Sequence, residues 1–387
     1  MMSHDFDQSP CREGTDSLKW QRYGDALPLW VADMDFPAPE PVLAALHERV
    51  AHGVFGYGAP PIALTETLCA RMANLYQWAV KPEEIVYLPG LVCGLNVACR
   101  AVGESGDEVL VQTPVYPPFL AAPGNQGRQL VTAELTAESR DGRLYYTIDP
   151  AAFAATISPR TRLFMLCHPH NPVGRAFDRA ELSRLADLCE RYDLTICSDE
   201  IHCDLLLDGR QHVPLATLGP EIARRCITLM APSKTFNIPG LGASFAIIQN
   251  PELQQRFKQA LRGIVPDVNI LGMTATLAAY QHGSGWLREL LLYLAANRDY
   301  LVDIVVRSLP GVRVTVPEAT YLAWLDCREV DLPGNPHNFF LKEAGVALND
   351  GATFGPGGEG FVRLNFGCPR ARLTEGLEQM RVALLRH

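Results

Sequence analysis

Apolar residues recur along this chain with two spacings that take turns. At Val42, Ala45, Leu46 and Val50 the spacing is helical; Pro41 suits the first turn of that helix and Gly53 ends it. From about residue 85, apolar runs of strand length alternate with helical stretches. The runs are Ile85–Leu88, Glu108–Thr113, 163–167, 194–198, Cys226–Met230 and 243–249. Between them, Leu91 to about Val102 predicts a helix, and Asp178 opens another with Leu182, Leu185, Ala186 and Cys189 on one face. Strand and helix alternating in this way predict a mostly parallel α/β sheet.

Past Gly283-Ser284-Gly285 the pattern changes. Residues 286–308 predict one long helix striped by Leu287, Leu290, Leu291, Leu294, Leu301, Ile304 and Val305. Residues 320–325 and 361–366 read as strands, and a last helix carries Leu373, Leu377, Met380 and Leu384. The expected division is a large α/β domain over 41–285 and a smaller α+β domain made of 286–387 with the N-terminal arm 1–40.

Composition narrows the function. Lys and Arg total 34 against 43 Asp and Glu, a formal charge of -9 without any basic block, so no nucleic-acid partner is expected. No run of about eighteen apolar residues predicts a membrane span, and the polar start MMSHDFDQSPCREGTD has no apolar signal core. The eleven cysteines are scattered and form no CxxC, which predicts neither a disulfide framework nor a zinc site. A reducing, cytoplasmic compartment is the expectation.

In open α/β sheets, ligands bind beyond the carboxyl ends of the strands. The residues just past each run are therefore the candidates: Gly90 opening a helix with Leu91 and Val92, then Tyr116, Asn171, Asp199 and Lys234. Singly they mean little, since a lone lysine is usually solvated, an acid after a strand often caps a helix, and Asn171-Pro172 is a turn signal. Together they suit pyridoxal phosphate. Its aldehyde needs a lysine amine (Lys234) for a Schiff base, and its ring nitrogen needs a carboxylate (Asp199) to stay protonated. Its phosphate needs free N–H groups at a helix start, such as those of Leu91 and Val92. Tyr116 suits the ring face and Asn171 the phenolic oxygen.

The stretches GTDSLKW (14–20), LPLWVADMDF (27–36), GYG (56–58), PVYPPF (114–119), LCHPHNPVGR (166–175), SDEIHCDL (198–205), APSKTFNIPGL (231–241), ATYLAWLD (319–326) and FVRLNFGCPR (361–370) run in order over nearly the whole chain. In them the chain resembles the fold-type I pyridoxal-phosphate enzymes of the class I/II aminotransferase superfamily, and within it the MalY/PatB-type cystathionine β-lyases. The resemblance implies that Lys234 is the Schiff-base lysine and proton shuttle, that Asp199 pairs with the pyridinium nitrogen, and that Asn171 bonds the ring oxygen. It puts His202 where many aminotransferases have a tyrosine near that oxygen, and Tyr116 against the ring. It assigns the phosphate to the Leu91 and Val92 amides, Ser233, and Tyr57 of a partner subunit, hence a homodimer. It gives Arg363 the substrate α-carboxylate, although by residue type alone Arg363 is only a charge on a strand. Two positions depart from the wider pattern: Ala231 and Gly242 stand where many aminotransferases place a serine and an arginine for the phosphate. Leu91 replaces a valine common in the subgroup, a change that a backbone donor tolerates.

The implied reaction is α,β-elimination from L-cystathionine or a related cysteine S-conjugate, giving pyruvate, ammonia and a thiol. The residues alone leave transamination of an L-amino acid open, because both routes begin with loss of the α-proton. A regulatory role is a third reading, since some relatives also bind a transcription activator. A chain kept only for binding, however, has no need of Lys234, Asp199 and Arg363 together.

Overall fold

The computed structural model describes residues 4–140 and 143–387. Its centre is a seven-stranded sheet in the order Ile85–Leu88, Ser244–Ile247, Cys226–Met230, Thr195–Asp199, Thr161–Cys167, Glu108–Thr113, Gln129–Glu134. Ser244–Ile247 runs antiparallel to both neighbours; every other pairing is parallel. The central strands are continuous apolar runs because both faces are covered. Leu163, Met165, Cys197, Ile227 and Leu229 pack with the helix Leu91–Ala101 on one side. Phe164, Leu166, Ile196 and Cys226 pack with the helix Arg179–Arg191 on the other. That second helix starts as its sequence predicts, with a capping box between Asp178 and Glu181.

A six-stranded sheet follows the order Asn349–Asp350, Phe361–Asn365, Leu322–Asp326, Arg313–Thr315, Arg143–Thr147, Thr136–Arg140. The hairpin at its far end comes from the middle of the chain, and Arg143–Thr147 joins Arg313–Thr315 in parallel. The long helix Ser284–Ser308 and the last helix Arg370–Arg386 cover this sheet. The arm is stitched on by a short parallel pairing of Leu27–Pro28 with Val346–Ala347.

Most predicted elements lie within a residue or two of their expected places. Asp199 differs in a useful way: it is the last residue of its strand, buried, and not the first residue past it. The strands Thr136–Arg140, Arg143–Thr147 and Gln129–Glu134 have no counterpart among the predicted runs; the first is polar and largely exposed, and the other two bury only one or two side chains each. Among the described residues no helix is long and apolar enough to cross a membrane.

Candidate active site

The carboxyl ends of the parallel strands open on a cavity of about 240 Å³. Lys234, Asp199, Asn171, His202, Tyr116, Ser233, Leu91 and Val92 all line it. Each arrives from a strand end: the helix Leu91–Ala101 begins three residues past Leu88, Asn171 follows Cys167, and Ser233-Lys234 follow Met230. The first N–H groups of a helix have no intrahelical acceptor, so Leu91 and Val92 bring donors to the cavity wall.

Asp199, His202 and Arg363 are buried and Lys234 is half-buried, and among the described residues none of them stands in an ion pair. Burial pushes the Asp199 carboxyl up to about 7, against which the Ile201 N–H, 3.1 Å from Oδ1, works in the opposite direction. Among the described residues no cation stands within ion-pair distance of it. Burial, then the neighbouring Arg363 charge, bring the Lys234 amine down to about 8. That amine donates to the backbone oxygen of Ala32. His202 is driven down to about 3 by burial and by the charges of Lys234 and Arg363, so its ring is neutral; its buried Nδ1 has no partner among the described residues.

Arg363 lies on the strand Phe361–Asn365, paired on one side with Trp324 and on the other with Asn349. It is 3% exposed, so it is an interior cation and not an edge charge. Nη1 donates to Asn171 Oδ1 at 2.9 Å, which ties it to the cavity; Nη2 donates to Trp30 O at 3.1 Å and Asn349 Oδ1 at 2.6 Å. Burial lowers its pKa to about 10, which leaves it charged at neutral pH. Among the described residues no carboxylate pairs with it. Tyr57 is the exception to this convergence. It lies outside the cavity wall, with 112% relative exposure, in a segment without regular structure after Gly53.

The structure adds residues that the sequence does not single out. The segment 30–36 roofs the site and is held from several sides. Asn237 brackets it, accepting from Met34 N and donating to Met34 O and Phe36 O. Asn365 donates to Val31 O and Asp33 O. Tyr321 donates to Ala32 O at 2.9 Å. Below it, Lys19, 1% exposed, meets Asp35 Oδ1 at 3.0 Å, and Arg12 and Arg372 complete the cluster at 3.0 and 2.7 Å. Asp204 takes the hydroxyl of Thr235 at 3.1 Å and pairs with Arg71, fixing the turn that carries Lys234. The only sequence signal for these residues is that most sit inside the quoted stretches.

Comparison with known proteins gives the family of the chain. The family described as aminotransferase class I and II matches residues 25–380. The chain is 42% identical to cystathionine beta-lyase PatB of Bacillus subtilis, over 98% of this chain and 99% of that one. It superposes on the crystal structure of OvoB with a TM-score of 0.94 at 45% identity, covering 99% of this chain and 100% of that one. It superposes equally, at 32% identity and full coverage of both chains, on cystalysin from Treponema denticola, whose structure contains pyridoxal 5'-phosphate. The chain belongs to the class I and II aminotransferase family.

Proposed function

We propose that this protein is a pyridoxal-phosphate-dependent carbon–sulfur lyase acting on L-cystathionine or a related cysteine S-conjugate. One observation carries the reading: a carboxyl, Asp199, and an amine, Lys234, line one cavity, and the buried guanidinium of Arg363 is tied to its wall through Asn171, with none of the three in an ion pair among the described residues. Isolated buried charges cost several kcal/mol each, so such a set belongs to a ligand that matches it. Pyridoxal phosphate with an amino acid fits: a ring nitrogen cation for Asp199, an aldehyde for Lys234, a carboxylate for Arg363.

When bound, the cofactor supplies an electron sink that makes the α-proton of an amino acid removable. Asp199 would keep that sink cationic, and Asn171 would bond the ring oxygen. Tyr116 packs the ring face, and neutral His202 lies beside it, its ring edge-on to Tyr321. The Leu91 and Val92 amides and Ser233 hold the phosphate; Ala231 and Gly242 contribute no charged or hydroxyl group to it. Lys234 carries the cofactor and then moves the proton at the α-carbon, for which an amine pushed down to about 8 is suited near neutral pH. Arg363 fixes the α-carboxylate and so the direction of the α C–H bond. The sulfur departs as a thiolate, a fair leaving group because thiols ionise near pKa ~8.5. The support for elimination over transamination is the whole-length similarity to a cystathionine beta-lyase.

We further read the enzyme as a homodimer. Tyr57 is exposed beside Val54, Phe55 and Ile62, at 61%, 58% and 78%, and in this reading it completes the phosphate site of a second copy. The eleven free cysteines, eight of them buried, suit a reducing cytoplasm. The domain division at 41–285 is likewise a proposal, in which the strands Thr136–Arg140 and Arg143–Thr147 reach across to the smaller unit's sheet. To test the cofactor assignment, the loaded protein is reduced with borohydride and mapped by peptide mass. The label is expected on Lys234; a label elsewhere, or none, overturns it.

A further inference from the structure

Arg363 has five N–H donors, and their accounting shows how a carboxylate must approach. One Nη1 hydrogen goes to Asn171; Nη2 serves both the Trp30 carbonyl and Asn349. Among the described residues Nε, which is buried, has no partner. A carboxylate takes a guanidinium best through two parallel bonds, either side-on through Nε and Nη2 or end-on through Nη1 and Nη2. Both approaches need Nη2. The incoming carboxylate therefore displaces either the Trp30 carbonyl or the Asn349 side chain. Trp30 belongs to the roof segment, which Asn237, Asn365 and the cluster around Asp35 pin in place. Asn349 lies at the edge of the six-stranded sheet, half-buried, directly opposite Arg363 across the ladder.

We propose that Asn349 is a positioning residue of the carboxylate site: its neutral amide oxygen holds Nη2 of Arg363 and yields it to the substrate α-carboxylate. This rests on the reading of Arg363 as the carboxylate group's partner. A neutral amide is the chemistry the task requires, because it orients the guanidinium and leaves its charge unspent. A carboxylate at the same place would pair with Arg363 permanently and exclude the substrate's. Because Asn349 only places Arg363, the effect falls on recognition of the carboxylate and leaves binding of the amino group alone.

The test uses the cofactor-loaded protein and two ligands without a group to eliminate, L-alanine and L-alaninamide, each titrated by the absorbance of the bound cofactor. Asn349→Asp is expected to weaken L-alanine by about tenfold or more, the scale of one charge-assisted bond, while L-alaninamide changes by less than about twofold. The amide titration on the same variant shows that the site is still formed. Asn349→Ser, which keeps a neutral acceptor, is expected to stay near wild type for both. If Arg363→Met weakens L-alanine selectively but Asn349→Asp does not, the role of Asn349 is wrong and the carboxylate site stands. If Arg363→Met leaves L-alanine unchanged, the carboxylate assignment itself falls.

Discussion

Lys234 and Tyr321 share one acceptor: the lysine amine and the tyrosine hydroxyl both donate to the backbone oxygen of Ala32. Lys234 comes from the turn after the strand Cys226–Met230, Tyr321 stands just before the interior strand Leu322–Asp326 of the other sheet, and the oxygen comes from the N-terminal arm. The position of the reactive amine thus depends on three distant parts of the chain.

Tyr321→Phe removes only the hydroxyl from this arrangement. The ring stays packed, so folding should hold, but Ala32 loses a donor that fixes its carbonyl. A neutral hydrogen bond is worth about 0.5–1.5 kcal/mol, so kcat should fall by roughly two- to tenfold with KM little changed. Steady-state kinetics on L-cystathionine checks this, and a change confined to KM would assign Tyr321 to substrate binding instead.

Lys19→Met tests the arm from below. Lys19 is buried against Asp35, and its loss leaves that carboxylate with Arg12 and Arg372. Breaking a buried pair costs about 3–5 kcal/mol when nothing else compensates; with two arginines remaining, roughly 2–3 kcal/mol is expected in urea unfolding. Because the cluster pins the roof that touches Arg363 through Trp30, KM should rise as well.

Asp199 makes the cofactor-free protein sensitive to pH. Its carboxyl ionises near 7 in the fold against an ordinary 3.8, so the folded form keeps a proton that the unfolded chain releases first. Stability held below pH 4 is therefore lost as pH rises through 7, by at most about 4 kcal/mol for this group. Asp199→Asn removes the dependence. Unfolding of the cofactor-free proteins at pH 5 and pH 8 should show the variant gaining on wild type at the higher pH. In the loaded enzyme the order reverses, since the variant lacks the anion facing the ring nitrogen.

Tyr57 contributes across the dimer in this account. Tyr57→Ala and Lys234→Ala should each be nearly inactive alone, yet their mixture should regain activity, because each hybrid has one site with both groups. A fully active monomer in sedimentation at assay concentration would contradict it.

Much of this site is legible in the sequence, for a physical reason. Buried parallel strands must be apolar runs, and their carboxyl ends are where ligands sit, so Asn171, Asp199 and Lys234 can be collected by reading the few residues past each run. Arg363 is not legible that way: an arginine on a strand looks like an edge charge, and only the pairing with Trp324 and Asn349 shows it to be interior. Lys19 is hidden likewise, a lysine that looks solvated and is buried against Asp35. Ala32 and Trp30 act through backbone oxygens, about which the side chain says nothing. The paired strands Thr136–Arg140 and Arg143–Thr147 escape because the first is polar and exposed and the second buries only Leu144 and Tyr146.

The central claim is that loss of the α-proton at Lys234 leads to cleavage of the β carbon–sulfur bond. The most direct measurement mixes the loaded enzyme with L-cystathionine, and separately with common L-amino acids plus 2-oxoglutarate or pyruvate, and follows pyruvate, free thiol and amino transfer. The account predicts pyruvate and thiol in equal amounts from L-cystathionine or another cysteine S-conjugate, without any added keto acid. Rapid keto-acid-dependent amino transfer with no pyruvate from any S-conjugate would contradict it.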